Sequence, residues 1–385
     1  MSAPTYLFLS GCYRSGTTLL EKLLHSHENI CLASQPFPLL YFHAKSAFYE
    51  AIGIERRYPL DHRFLEDGYQ EEEFYAFLDR FVISPERLNT IFQEMGEYKL
   101  GLWTPEILAF GDQVTPGTFM DIYEQLNNII ARIFPKEHIL FLGSKEVLCE
   151  EYVPYLLSKG SRAIIIIRDP RDMITSLNIS ERDNLTGSNR PILYSLRIWR
   201  KSVAIALACE THPNFVWLRY EDIIDNALLV LSHITPSLGI RQFSEESFSE
   251  GIRDQHGKPW KGNSSFDDVS GISSASVGRY AETLPANATA YIESCCWPEM
   301  KVLGYDFFCQ PHFDEGAVRS YAESFQVEHE KFSPDYSCRP DHIEEELERY
   351  KRLEERGRDH DAADTKRWFL YEAAYQKLRS AVTRE

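Results

Sequence analysis

The loop between Gly11 and Thr18 contains the residue types of a phosphate-binding turn. It follows a short apolar run and has the spacing G-x-x-x-x-G before a helix-like pattern. Backbone N–H groups of such a loop, together with the positive end of the helix dipole, attract an anion. The ATP-binding version needs Lys after the second Gly, where this chain has Thr17, whereas Arg14 supplies a cation from inside the loop. A strand-to-helix turn without a ligand is the alternative interpretation.

A second candidate anion site is the segment RDPRD at 168–172, which follows the apolar run 163–167. Arg168 would then stand at the carboxyl end of a buried strand, where open α/β sheets bind their ligands. Ser176 follows on the next helix, and a guanidinium fork with a nearby hydroxyl suits a second phosphate group. The alternative is a structural ion pair between Arg168 and an aspartate of the same segment.

Both segments need a parallel sheet covered by helices on its two faces. Continuous apolar runs alternate with helix-patterned stretches, which is typical of an α/β fold. The candidate anion sites would then lie at the same edge of the sheet, because parallel strands end there. We predict strands at 6–10, 30–33, 139–142, 163–167 and 215–218, and helices at 17–27, 147–159, 192–209, 223–238 and 286–302.

Two parts of the chain depart from this alternation. Residues from about 36 to 135 form an aromatic-rich helical insert without a convincing strand, suited to a substrate pocket. Residues 309–385 form a C-terminal extension with charged helices, which could pack on the core or form a homodimer contact. The predicted fold is therefore a three-layer αβα P-loop domain at 1–308, with a central parallel sheet, a helical substrate-binding insert and a C-terminal helical extension.

Composition excludes several classes of function. The 385 residues include 41 Lys+Arg and 58 Asp+Glu, and the formal charge of −17 argues against a nucleic-acid partner. No apolar run reaches the roughly 18 residues of a membrane-spanning helix. The first residues lack a basic signal-peptide start, so we expect a cytoplasmic protein. The eight cysteines show no metal-ligand spacing, so we expect no metal site.

Together, RSGTT at 14–18 and RDPRD-x3-S at 168–176 resemble the PAPS-dependent sulfotransferase family, where PAPS is 3′-phosphoadenosine 5′-phosphosulfate. The resemblance extends over about residues 5–307 and implies a P-loop α/β fold, PAPS as co-substrate and PAP as product. It implies that the 3′-phosphate is held by Arg168 and Ser176. It implies that the 5′-phosphosulfate is held by Arg14, Ser15, Gly16, Thr17 and Thr18.

Two later segments agree with this resemblance. RYED at 219–222 is similar to a family segment whose Tyr, here Tyr220, lies near the adenine. SVGR at 276–279 is similar to a late basic segment whose Arg, here Arg279, closes over the 3′-phosphate.

The resemblance also indicates catalytic candidates. In sulfuryl transfer the protein mainly positions the partners and neutralises charge on the leaving oxygen. Arg14 is one candidate for that role. Lys145 is the other, because it stands where tyrosylprotein sulfotransferase-like members have a catalytic Lys. The alternative for Lys145 is a surface lysine after a strand.

The general base is harder to assign. Gln35 occupies the position where protein-tyrosine sulfotransferases have Glu, and an amide cannot take up a proton at neutral pH. We therefore expect Gln35 to bind the acceptor. Cytosolic small-molecule sulfotransferases use a His, and His43 is our candidate base, with a half-buried structural His as the alternative. Further candidates are His27, Glu28 and Glu106.

The sequence thus predicts a cytoplasmic sulfotransferase without a metal. It would move a sulfuryl group from PAPS to a hydroxyl or amine of a neutral or cationic small molecule, such as a secondary metabolite or alkaloid. One alternative is a P-loop kinase of a small metabolite, which the missing Lys after Gly16 opposes. The other is a non-catalytic PAPS- or nucleotide-binding protein, which the amide of Gln35 at the base position makes conceivable.

Overall fold

The central feature is a parallel five-stranded sheet. The structure is a computed structural model that describes residues 3–65, 68–97, 103–179, 190–243, 251–260, 262, 271–309, 311–325, 339–355 and 362–383. The sheet has the order β2-β5-β1-β6-β7. Its strands are β1 (Thr5–Ser10), β2 (Ile30–Ser34), β5 (Phe141–Lys145), β6 (Arg162–Ile167) and β7 (Phe215–Arg219).

Helices cover both faces of this sheet. The strands are largely apolar, so each face of the sheet must be buried. On one face, leucines of α1 (Thr17–His25) and isoleucines of α9 (Tyr220–Leu238) form one apolar cluster. On the other face, a larger cluster includes α6 (Val153–Ser158), α7 (Pro170–Asn178) and α8 (Ile192–Cys209). The predicted three-layer αβα architecture is confirmed.

The insert is helical with one short antiparallel ribbon. The ribbon pairs β3 (Val82–Ile83) with β4 (Gly117–Thr118), so the expectation of an insert without a strand is wrong. Two residues per strand are too few to produce an alternating pattern that sequence analysis could recognise. The insert helices are α2 (Pro38–Ala51), α3 (Glu71–Arg80), α4 (Pro85–Glu97), the 3₁₀ helix Pro105–Gln113 and α5 (Phe119–Ile133).

Strand β5 begins two residues and ends three residues later than predicted. Its register pairs Thr5 of β1 with Phe141, and Leu140 before it is 45% exposed. The strand therefore ends with Gly143-Ser144-Lys145, which lack the apolar side chains that identify a buried strand in a sequence. This shift has a functional consequence, because Lys145 becomes the last residue of a buried strand.

The C-terminal extension packs on the core. Leu347, Trp368 and Phe369 belong to the same apolar cluster as the insert. The prediction of a homodimer contact remains a prediction, and the apolar faces of these helices are covered by their own chain.

The remaining α-helices are α10 (Tyr280–Thr283), α11 (Ala286–Cys295), α12 (Trp297–Leu303), α13 (Glu315–Ser320), α14 (Asp341–Glu354), α15 (Ala362–Phe369) and α16 (Glu372–Val382). In the described ranges, no helix combines the length and apolarity needed to cross a membrane.

A buried ion-pair cluster attaches α14 to α8. Glu346 accepts hydrogen bonds from Arg197 Nη2 at 2.9 Å and forms an ion pair with Arg200 Nη2 at 2.6 Å. Burial alone would raise the pKa of this carboxyl, but Arg200 and Arg197 hold the pKa of Glu346 at about 2. The extension is therefore joined to the sheet domain by buried charges as well as by apolar contacts.

Removing this carboxylate should destabilise the protein strongly. Glu346→Ala removes the buried carboxylate that Arg197 and Arg200 share, and we expect the free energy of unfolding to fall by about 3–5 kcal/mol. Glu345→Ala is the matched control, because Glu345 pairs with the same Arg197 but its side chain is 25% exposed; its expected loss is about 1 kcal/mol or less. Equal losses in a denaturant titration would contradict the structural role of Glu346.

Candidate active site

The loop from Gly11 to Thr18 packs closely against β6 and the ring of Tyr220. Gly16 has φ 91°, and a Cβ at this position would lie 2.2 Å from a ring carbon of Tyr220. A Cβ on Gly11 would lie 2.6 Å from the carbonyl oxygen of Ile166. Any larger residue at Gly11 or Gly16 would therefore clash with its neighbour. The N–H groups of the loop lie directly before the start of α1, where an anion can bind.

Arg14, Ser176 and Arg168 converge beside this loop. The Nε of Arg14 donates to the Oγ of Ser176 at 2.9 Å. Arg168 donates from Nη1 to the carbonyl oxygen of Arg14 at 3.0 Å and from Nη2 to that of Ser276 at 2.5 Å. The Nε of Arg168 is buried without a hydrogen-bond partner among the described residues. Two segments predicted separately therefore form one cationic site.

The electrostatics of this site favour an anion. Burial and the neighbouring guanidinium of Arg168 lower the pKa of Arg14 to about 10. The alternative of an ion pair between Arg168 and a nearby aspartate is not realised in the described structure. Asp169 instead pairs with Arg171 at 2.6 Å, and Asp172 accepts the N–H groups of Gly278 and Tyr280. Two adjacent guanidinium groups that repel each other are stabilised when a phosphate binds between them.

Tyr220 and the segment 276–279 complete this side of the site. The ring of Tyr220 lies 4.7 Å from the guanidinium of Arg168, and its hydroxyl lies 2.9 Å from Ser276 Oγ. Arg279 is partly buried and caps α10, with its carbonyl oxygen accepting from Thr283 Oγ1. The structure thus brings the predicted late segment against Arg168, and the role of the Arg279 side chain remains a prediction.

Lys145 and Gln35 lie at the same edge of the sheet as the loop. Lys145 pairs in register with Leu9, two residues before Gly11. Its Nζ donates to Gln35 Oε1 at 3.0 Å, and the N–H of Gln35 donates to the carbonyl oxygen of Lys145 at 2.8 Å. Burial lowers the pKa of Lys145, and the alternative of a surface lysine is wrong, because this residue is 1% exposed.

An aromatic side chain lies beside Lys145. The indole of Trp103, which is 53% exposed, lies 5.9 Å from Lys145 Nζ. The backbone N–H of Trp103 donates to the carbonyl oxygen of Gln35 at 3.4 Å. An exposed ring next to a buried ammonium is suited to an acceptor that has an apolar face.

The described cations and hydroxyls meet at the carboxyl ends of β1, β5 and β6, next to a glycine-containing loop. A family model for the sulfotransferase domain matches residues 4–304 of this chain.

The chain belongs to the sulfotransferase family.

This sulfotransferase is similar to several solved structures at low sequence identity. The sulfotransferase domain of the curacin biosynthetic pathway is 17% identical, with 80% of this chain and 100% of that chain covered and a TM-score of 0.45. The sulfotransferase domain of the Synechococcus PCC 7002 olefin synthase is 20% identical, with 74% and 91% covered and a TM-score of 0.41. Retinol dehydratase in complex with androsterone and PAP is 17% identical, with 78% and 82% covered and a TM-score of 0.36. No curated protein matches the chain.

The candidate bases of this sulfotransferase lie apart from Lys145. His43 lies on the side of α2 that faces α4, where its Nε2 is 2.7 Å from Glu94 Oε2. His27 contacts the carbonyl oxygen of Arg241, and Glu28 lies 3.8 Å from the Arg241 guanidinium. Glu106 pairs with His256 at 3.1 Å. Among the described residues, the partner that the structure shows for each of these groups thus lies on a segment other than those of Gln35 and Lys145.

The role of His43 has a direct test. If His43 is the base, the pH–rate profile of the wild type has an acid limb that His43→Ala removes. Glu94→Gln is the matched variant, because it removes only the group that pairs with His43. An acid limb that is unchanged in His43→Ala would assign this residue to the contact between α2 and α4.

Two buried carboxylates near Lys145 escaped the sequence analysis. Glu146 follows Lys145 directly and accepts the N–H of Phe37 at 3.2 Å, which holds the turn that begins at Gln35. Burial raises the pKa of Glu146. Glu21 lies on α1 and is 0% exposed. Their position inside apolar segments could have identified them from the sequence, because a carboxylate is rarely buried without a partner. Within the described residues, no cluster of His, Cys, Asp and Glu could hold a metal ion.

Proposed function

We propose that this chain transfers a sulfuryl group from PAPS to a hydroxyl or amine of a neutral or cationic small molecule. The observation that carries the proposal is the convergence of Arg14, Arg168 and Ser176 at the glycine-containing loop. Two cations from two segments at one site suit a ligand with two phosphate groups better than a ligand with one.

The residues fit this donor. The loop N–H groups and Arg14 would hold the 5′-phosphosulfate, and Arg168 with Ser176 would hold the 3′-phosphate. The buried Nε of Arg168 supports this assignment, because a buried donor without a partner is costly unless a ligand satisfies it. Tyr220, whose ring contacts Gly16, would lie against the adenine.

The acceptor would bind on the Lys145 side of the loop. PAPS supplies the sulfuryl group, and Lys145 and Arg14 neutralise the charge that develops on the leaving oxygen. Gln35 is fixed through both its backbone and its amide, so it can orient an acceptor hydroxyl or amine. The exposed ring of Trp103 offers an apolar surface. The net charge of −17 favours an acceptor without negative charge, and we propose that the protein acts in the cytoplasm.

The proposal is tested by incubating the full chain with ³⁵S-labelled PAPS and a metabolite extract. We expect label in a small molecule whose mass increases by one SO₃ group. Transfer of label from γ-³²P-ATP instead would indicate a kinase. Tight PAP binding without transfer to any acceptor would indicate a non-catalytic nucleotide-binding protein. Either of these results would overturn the proposed activity.

A further inference from the structure

A buried polar cluster lies on α1, on the side that covers the sheet. Glu21 is 0% exposed, and its Oε2 lies 3.0 Å from Lys22 Nζ. Its Oε1 accepts a hydrogen bond from Gln255 Nε2 at 2.7 Å, while Lys22 also donates to the amide oxygen of Gln255. Glu21 Oε2 is buried and makes no hydrogen bond among the described residues. The carboxylate is therefore enclosed, with Oε1 hydrogen-bonded to Gln255 and Oε2 in an ion pair with Lys22.

This cluster is on the same face of the sheet as the Lys145 side chain. Side chains alternate along a strand, and Phe141 of β5 packs in the cluster that contains the leucines of α1. Lys145, four residues later on β5, points to that face. The hydroxyl of Ser34, which pairs with Lys145 in register, is also buried there without a hydrogen-bond partner. The ammonium of Lys145 and the hydroxyl of Ser34 thus lie on the face of the sheet that α1, which carries the carboxylate of Glu21, covers.

The charged groups that face Lys145 come from two elements. Glu21 and Lys22 face it from α1, and Glu146 follows it at the end of its own strand. Burial lowers the pKa of Lys145, Glu21 is the strongest influence in the opposite direction, and Lys22 adds to the lowering. Without Glu21, burial and Lys22 would both favour a neutral amine.

We infer that Glu21 is a positioning residue of the sulfuryl transfer, whose carboxylate holds the ammonium of Lys145 in its charged form. This inference rests on the proposed function, in which a charged Lys145 neutralises the leaving oxygen. Glu21 does not touch the reacting atoms. It acts through Lys145, and it does so from inside the protein, where the attraction between charges is stronger than in water.

Two residues that follow α9 along the chain, Gln255 and Ser276, contribute to this arrangement. Gln255 lies in a short turn closed by a bridge between Arg253 and Pro259, and its amide contacts both Glu21 and Lys22. Further along the chain, Ser276 contacts Arg168 and Tyr220. Gln255 therefore helps to enclose Glu21, and Ser276 touches the predicted 3′-phosphate site.

The pH–rate profile tests the inference, because it reports the charge of Lys145. In the wild type, turnover falls at alkaline pH as Lys145 loses its proton. In Glu21→Gln, which keeps the side-chain shape, we expect this alkaline limb to move to lower pH by about 1–3 units. In Lys22→Gln, which removes the opposing cation, we expect the limb to move to higher pH. Glu72→Gln changes an exposed carboxylate on α3 and should leave the limb in place.

Calorimetry supplies a readout that does not depend on turnover. PAP binding is measured at neutral pH in two buffers of different ionisation enthalpy, which gives the number of protons taken up. Glu21→Gln should take up more protons than the wild type, because its neutral Lys145 becomes charged when phosphate binds nearby. Adding Lys145→Ala should abolish the extra uptake.

The outcomes separate this inference from the proposed function. A wild-type protein that binds no PAP and transfers no sulfate would overturn the proposed function. A wild type that does both, with the same alkaline limb and the same proton uptake in Glu21→Gln, would overturn only the role of Glu21. If Glu21→Gln does not fold, the shift in Lys22→Gln decides, and an unchanged alkaline limb in that variant would contradict the inference.

Discussion

Arg168→Ala should bind PAP and its 3′-dephosphorylated analogue with nearly equal affinity. In the wild type we expect removal of the 3′-phosphate to weaken binding by about 3 kcal/mol or more, roughly 100-fold, because hydrogen bonds between charged groups lose their partner. The buried Nε of Arg168 and its position against Arg14 are the structural basis of this expectation. Calorimetric titration of both nucleotides into both proteins measures the difference.

A matched control comes from the same strand. Arg162 begins β6, at the opposite end from Arg168, and its guanidinium contacts the ring of Phe141. Arg162→Ala should keep the full preference for PAP. If Arg168→Ala also keeps this preference, Arg168 does not bind the 3′-phosphate. If Arg168→Ala loses affinity for both nucleotides equally, the guanidinium supports the loop through its contact with the Arg14 carbonyl.

Sequence analysis was most informative where a candidate functional residue lies next to a strand or helix that a local sequence pattern predicts. The glycine spacing around Arg14 and the apolar run before Arg168 each predicted a strand end. A parallel sheet brings strand ends to one edge, and the contacts of Arg14 with Ser176 and Arg168 follow from that geometry. The long helix at 192–209 was predicted with the bounds that the structure shows, Ile192–Cys209, and the αβα fold class is confirmed.

Contacts between distant parts of the chain could not be predicted in this way. Gln255 and Glu21 are 234 positions apart, and neither residue type indicates its partner. His43 pairs with Glu94 because α2 and α4 pack together, which depends on the fold of the whole insert. The polar end of β5 carries Lys145 into a buried strand, and only the register with β1 reveals it. In each case tertiary packing determines which residues come into contact, and no local sequence pattern predicts that packing.

Lys145→Ala should separate transfer from nucleotide binding. We expect PAP affinity to stay nearly unchanged and turnover to fall by about 10²–10³-fold, which is the usual loss when one transition-state donor is removed. The geometry supports this separation, because Lys145 contacts Gln35, the proposed acceptor-binding residue, whereas Arg168 and Ser176 contact Arg14. Single-turnover kinetics with labelled PAPS measure the transfer, and calorimetry with PAP measures binding.

The comparison with Arg14→Ala makes the result specific. Arg14 lies inside the loop and contacts Ser176, so its removal should weaken PAP binding and transfer together. Lys159→Ala changes a partly exposed lysine that pairs with Asp79 and should affect neither. Weakened PAP binding with normal turnover in Lys145→Ala would make Lys145 a nucleotide-binding residue. Normal binding and normal turnover would exclude it from the reaction, and the charge on the leaving oxygen would then be neutralised by Arg14.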